Sequence, residues 1–161
     1  MRQARQLAAV VPYRMRNQRV EVAVITSVNG GDWIVPKGEI EEGERPWEAA
    51  AREAEEEAGL LGVVSPRPLG GFSTGNGNRR AIGVYAFHVS AVLRHWPEDR
   101  IRRRRWMSLQ QAERCLRREF QPLIPALARR LSRQALRPIG PGRRTPGSTR
   151  SARAGSCQSP R

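Results

Sequence analysis

Lysine is almost absent from this chain: 161 residues contain one, Lys37, against twenty-eight arginines. Acids are also scarce, with Asp+Glu at 15, so the formal charge is +14. That balance favours an anionic partner such as a nucleic acid, a phosphorylated metabolite or a membrane surface, and does not choose among them. The two cysteines, Cys115 and Cys157, lie far apart in sequence. They argue against a disulfide framework or a thiolate-ligated metal and point to a reducing cytoplasm. No apolar run approaches the roughly 18 residues of a membrane span, so a soluble domain is expected. The opening MRQARQLAAVVPYRMR has too short an apolar stretch between arginines for a secretory signal, so export is not expected.

What is present is unevenly placed. Nine of the fifteen acids fall between Glu39 and Glu57, accompanied there only by Arg45 and Arg52, so this window carries −7 and the remainder +21. An acidic island in a basic chain is either a solvated helix face or a divalent-cation site, and spacing has to decide. From Pro138 onward the chain has five arginines, no acid and almost no large apolar residue. Such a segment cannot offset its ordering entropy by burial. The sequence therefore predicts one domain over residues 1–137 and a disordered basic tail over 138–161, with no internal repeat.

Val20–Ser27 is β-branched and apolar and precedes Gly30–Gly31, a strand and a turn; Asp32–Val35 reads as a second short strand. Arg45–Ala58 is the clearest helix, with Pro46 in its first turn and Gly59 at the capping position, although Arg45 is a poor N-cap. Leu69–Thr74 and Arg80–Leu93 form a hairpin across the turn Gly75–Asn78, and Arg104–Met107 is one more strand. Ser108 with Gln111 makes a capping box opening a helix to about Leu116. A last helix runs through Leu123–Leu136. Strands interleaved with helices predict an α/β (α+β) layered fold with a mixed sheet.

At 100° per residue, Trp47, Ala51, Ala54 and Ala58 share an arc of roughly 60°, while Glu53, Glu56 and Glu57 share another of roughly 100° on the other side. The alanine arc suits close packing on a sheet. Three carboxylates within one turn repel one another, so they need a cation or a compensating arginine. Hard divalent cations such as Mg²⁺ or Mn²⁺ take carboxylate oxygens.

Gly38, five residues, Glu44, seven residues, then Arg52-Glu53-Ala54-Glu55-Glu56-Glu57-Ala58-Gly59-Leu60 resembles the Nudix box, GX5EX7REUXEEXGU, of the Nudix hydrolases. One specified position departs: Ala54 stands where a bulky aliphatic is usual, at a packing position. The resemblance covers about residues 9–118 and is greatest to the branch of diphosphoinositol polyphosphate and diadenosine polyphosphate phosphohydrolases. It implies a Nudix-type α/β/α sandwich and hydrolysis of a phosphoanhydride in a nucleoside- or inositol-linked polyphosphate.

By the same resemblance Glu53 and Glu57 ligate the metal, with the main-chain carbonyl of Lys37 as a third ligand. Glu56 is the candidate base, Glu53 or Glu98 being alternatives. Arg52 orients the carboxylates; Glu44 pairs with Arg52 or reaches metal through water. Gly38 allows close approach and Gly59 ends the helix. The Lys37 side chain, Arg79, Arg80 and Arg102 are candidate phosphate contacts, because ammonium and guanidinium groups match phosphate oxygens. In the run Arg102–Arg105 alternate residues point to opposite faces, so two at most serve one pocket. Trp96 and Trp106 read as packing residues, His88 and His95 as structural. The expected partner is a small polyphosphate, not a membrane. Two other readings stand beside it: an RNA 5′-pyrophosphohydrolase, and an inactive Nudix-fold module that binds RNA.

Overall fold

Leu7–Arg16 forms β1, which joins the two halves of the sheet; like the short strand Lys37–Glu39, it was not expected from the sequence. Its interior Pro12 argues against a central strand, since proline donates no ladder hydrogen bond. The neighbours explain the exception. Along one edge β1 pairs first with Lys37–Glu39, numbered β4 here, and then, from Tyr13↔Val22 onward, with β2 (Arg19–Thr26). Val10 donates its N–H to the Pro36 carbonyl at 3.0 Å. By alternation, Pro12 turns its missing N–H to that same edge, in the gap between the two partners. Along the other edge β1 runs parallel to β6 (Arg80–Val92), from Leu7↔Ile82 to Tyr13↔His88.

The computed structural model describes residues 6–29, 31–74 and 80–136, without the side chains of 73, 74 and 80–82. The expected Gly75–Asn78 turn, Arg79 and the 138–161 tail lie outside the described residues, as does the Arg80 side chain.

The sheet is mixed, in the order β3-β2-β1-β6-β5, with β3 at Trp33–Ile34 and β5 at Leu60–Thr74; β4 adds to β1, and β7 (Arg104–Ser108) to β2. β5 is longer than the expected Leu69–Thr74. Its pairing with β6 is irregular between Val64 and Pro68 and between Pro68 and Gly70. Prolines at such bulges on an edge strand hide the strand from periodicity. Helix α1 is Pro46–Ala58, α2 Leu109–Cys115 and α3 Leu123–Ala135. Both halves of the Ser108–Gln111 capping box form, at 3.2 and 3.1 Å.

The helices cover opposite sheet faces. Trp47 of α1 meets the ring of Tyr85, whereas His88, three residues along β6, meets Tyr13 and shares a recess with Arg130 and Leu131 of α3. Positions 85 and 88 of one strand point to opposite faces. The fold is thus the expected α+β sandwich around a mixed sheet. Phe87, Val10, Val22, Val24, Phe120 and Leu127 are among its fully buried side chains.

Candidate active site

Ala49, Ala50, Ala54 and Ala58 of α1 are wholly buried, which lets the helix backbone lie close to the sheet. The helical wheel placed Glu53 and Glu57 opposite the packing face, and the structure corrects this: both are buried, at 9% and 5% exposure. The two alanines left out of that wheel, Ala49 and Ala50, extend the buried arc until the carboxylates lie near its middle. Glu56 is at the rim, its side chain 45% exposed. The helix starts without a side-chain acceptor at Arg45; the Glu48 carboxylate instead reaches back to the Arg45 N–H at 3.2 Å.

Gly38 lies on β4, opposite Ala8 of β1. A Cβ there would fall 2.0 Å from Glu53 Oε1, so the carboxylate lies directly on the glycine backbone. Arg52 holds the surrounding acids. Its Nε and Nη2 donate to the two oxygens of Glu44 at 3.0 and 3.2 Å. Nη1 donates to Glu53 Oε1 at 2.8 Å and Glu56 Oε2 at 3.2 Å, and Nη2 to the Glu39 carbonyl at 2.9 Å. A guanidinium has five N–H donors, and each has an acceptor here. Glu44 also accepts from the Glu41 N–H at 3.0 Å, which ties the loop before α1 to the same arginine. The hydrogen bond from Arg52 holds the Glu44 carboxyl below its ordinary pKa, and that to Glu44 raises the Arg52 guanidinium.

Glu57 is held from the other side. The Lys37 N–H donates to its Oε2 at 2.9 Å, and Arg102 Nη2 donates to its Oε1. Arg102, itself 7% exposed, also bonds Glu98 through Nε and the Thr26 carbonyl through Nη1 at 3.0 Å. It was expected at a substrate phosphate; its place is beneath the carboxylates. Burial pushes the Glu57 pKa up to about 7 against the opposing pull of the Lys37 N–H and Arg102, with Glu53 and Glu98 adding repulsion. Burial likewise raises Glu53, opposed by Arg52.

This donor set fits a hard divalent cation. It offers oxygen ligands only, the space over Gly38 is given to a carboxylate, and Glu57 is costly to ionise without more positive charge. Among the described residues no three acidic, histidine or cysteine side chains already converge on one point, because each glutamate is turned to an arginine or a main-chain N–H.

A profile of the NUDIX domain matches residues 4–129. The chain belongs to the Nudix hydrolase family. Nudix hydrolase 18, mitochondrial, of Arabidopsis thaliana is 34% identical over 146 residues, covering 84% of this chain and 82% of that protein. Diphosphoinositol polyphosphate phosphohydrolase 3-beta of Bos taurus is 34% identical over 112 residues, covering 68% and 67%. Among solved structures, the Ap4A hydrolase of C. elegans matches with a TM-score of 0.63 at 21% identity, over 80% of this chain and 99% of that one, and so shares the fold. Nudix hydrolases generally use divalent metal ions.

Arg104, a member of the arginine run weighed for phosphate, and Trp96, expected to pack, both shape this Nudix site from beneath. Arg104 donates to the carbonyls of Ala58 and, at 3.2 Å, Gly59, capping the C-terminus of α1, where a cation is favoured. Its guanidinium also lies over Trp96, with Cζ 4.4 Å from the ring centroid. Trp96 donates its indole N–H to the Glu57 carbonyl at 3.1 Å. It also packs against Gly59, which has φ 60° and no space for a Cβ. The alternation of the arginine run was the available signal: Arg102 and Arg104 turn inward, Arg103 and Arg105 are exposed.

Proposed function

We propose that this Nudix pyrophosphohydrolase cleaves a phosphoanhydride in a nucleoside- or inositol-linked polyphosphate, of the diadenosine polyphosphate or diphosphoinositol polyphosphate kind, with Mg²⁺ or Mn²⁺. One observation carries the reading: a single guanidinium, Arg52, aligns Glu44, Glu53 and Glu56 beside the Gly38 backbone, while Glu57 is fixed independently. The substrate class is supported by the named relatives and by a +14 chain whose acids are concentrated at this site.

Glu53, Glu57 and the Lys37 carbonyl would hold the cation, with Glu56 adjacent. A bound divalent cation shields polyphosphate charge and makes water a better nucleophile. Glu56, the most exposed of the carboxylates of Glu53, Glu56 and Glu57 and held by Arg52, accepts the proton from the attacking water. Glu98 is the alternative base; its N–H bonds the Glu56 carbonyl at 3.2 Å. Arg52 fixes the carboxylate orientations, and Arg102 limits the motion of Glu57. The Lys37 side chain, Arg79 and Arg80 meet substrate phosphates.

The test is a phosphate-release screen with Mg²⁺ or Mn²⁺ over diadenosine polyphosphates, diphosphoinositol polyphosphates, nucleoside triphosphates and 5′-triphosphate RNA. Turnover of one of the first two, reduced at least about 100-fold in a folded Glu56→Gln protein, is expected. Turnover of RNA alone would replace the substrate class, and full activity in Glu56→Gln would remove that residue from its role.

A further inference from the structure

One sizeable cavity lies away from the glutamates. It is a groove of about 590 Å³ between β5 and α3, lined chiefly by Arg67, Arg129, Arg130 and Arg133 with Ser65 and Gln134. Ser65, Arg130 and Gln134 also border a second recess of about 340 Å³, so the two adjoin. That recess is apolar and aromatic, with Tyr13, His88, Val63 and Leu131 on its walls. Tyr13 and His88 already stack there, with centroids 5.2 Å apart and planes inclined by 31°.

Three observations make the groove a site. First, no carboxylate lines it, and among the described residues none of its four arginines forms an ion pair. Arg129 and Arg133 are exposed and one helical turn apart, a repulsive arrangement that an anion relieves. Second, the groove is braced. Arg130 donates to the carbonyls of Arg67 at 2.5 Å and Pro68 at 2.7 Å, fixing α3 to the bulged part of β5. Third, Val63 is 71% exposed although it borders the recess, an uncovered apolar contact beside the charge.

The groove is separate from the Nudix carboxylates. It lies on the sheet face away from α1, and Tyr13 is four residues along β1 from Ala9, the partner of Lys37. At the strand rise that is about 13 Å, before the thickness of the sheet is added.

We propose that the β5/α3 groove binds a compound carrying several phosphates on a flat apolar ring, the class that includes nucleoside polyphosphates. Arg67, Arg129 and Arg133 take the phosphates, and the ring enters the recess against Tyr13 and His88. Guanidinium forks match phosphate oxygens, aromatic walls match a ring, and the adjoining volumes are of small-ligand size. The site is independent of the substrate proposed for the Nudix glutamates.

Titration calorimetry of the full chain in EDTA, where turnover is suppressed, tests it with ATP and with inorganic tripolyphosphate as probes. Arg129→Gln/Arg133→Gln should weaken both at least 10-fold, with unchanged melting temperature and unchanged hydrolysis of substrate in Mg²⁺. Arg129→Lys/Arg133→Lys should recover part of the binding. Tyr13→Ala should weaken ATP and leave tripolyphosphate as it was. ATP affinity unmoved by the double glutamine change, or lost instead in Glu53→Gln, would overturn the site. Equal loss of both probes in Tyr13→Ala, or binding only of an oligonucleotide, would overturn the assigned ligand.

Discussion

The carboxylate of Glu53 takes the space that any side chain on Gly38 would need, a Cβ there falling 2.0 Å from Glu53 Oε1. Gly38→Ala therefore displaces the end of one side chain and leaves the sheet intact. Activity should fall about 100-fold while the melting temperature moves by only a few degrees, because misplacing a catalytic group by an ångström costs rate more than stability. Steady-state kinetics beside thermal melts check this; full activity in the variant would show that Glu53 works equally well elsewhere.

Arg52→Lys keeps the charge and loses the fork. A single ammonium cannot reach Glu44, Glu53, Glu56 and the Glu39 carbonyl together. Stability should drop by about 1 to 3 kcal/mol in urea unfolding, and kcat/KM by at least about 100-fold. A lysine variant with normal kcat/KM would show that charge, not alignment, is what the glutamates require.

Glu57 gives a pH signature. Its folded pKa is about 7 against an ordinary 4.5, so the folded state binds this proton more tightly than the unfolded chain does. The stability it contributes is complete below pH about 4.5 and disappears as pH rises through 7. In EDTA, wild-type stability should fall between pH 5 and 7.5 by up to about 3 kcal/mol more than that of Glu57→Gln. Millimolar Mg²⁺ at pH 7.5 should restore wild type preferentially. Parallel pH profiles for the two proteins in urea titrations would contradict this account.

Two glycines with positive φ provide a matched pair. Gly43 has φ +80° and open space around it; Gly59 has φ +60° with Trp96 within 2.9 Å of a would-be Cβ. Each alanine substitution carries a left-handed backbone cost of about 1 to 2 kcal/mol, and only Gly59→Ala adds the collision. Gly59→Ala should be the more destabilising by at least about 1 kcal/mol in chemical denaturation. Equal losses would mean that Trp96 moves aside freely.

The spacing from Gly38 to Leu60 is short and local, running from β4 through one loop into α1, which carries Arg52, Glu53, Glu56 and Glu57, and this is why family, helix and carboxylates could be read from the sequence. β1 could not be, because Pro12 is acceptable only where the strand passes from β4 to β2, a fact of pairing and not of local pattern. The burial of Glu53 and Glu57 was only half within reach, through the omitted Ala49 and Ala50 on the same arc. It also depends on Gly38 from β4 and Arg102 from before β7, which reach α1 only in the folded chain. Arg102 and Arg104 were visible as alternate members of an arginine run, but not their tasks, since the Glu57 carboxylate and the Ala58 carbonyl that they reach on α1 are more than 40 residues away.

The Lys37–Glu39 strand pairs with Leu7, Ala8 and Ala9, so Gly38 rests on the first strand among the described residues. A purification handle or fusion partner attached just ahead of Leu7 should therefore disturb that support. Damage of this kind would present as an inactive enzyme with an ordinary melting curve, easily mistaken for the wrong choice of substrate.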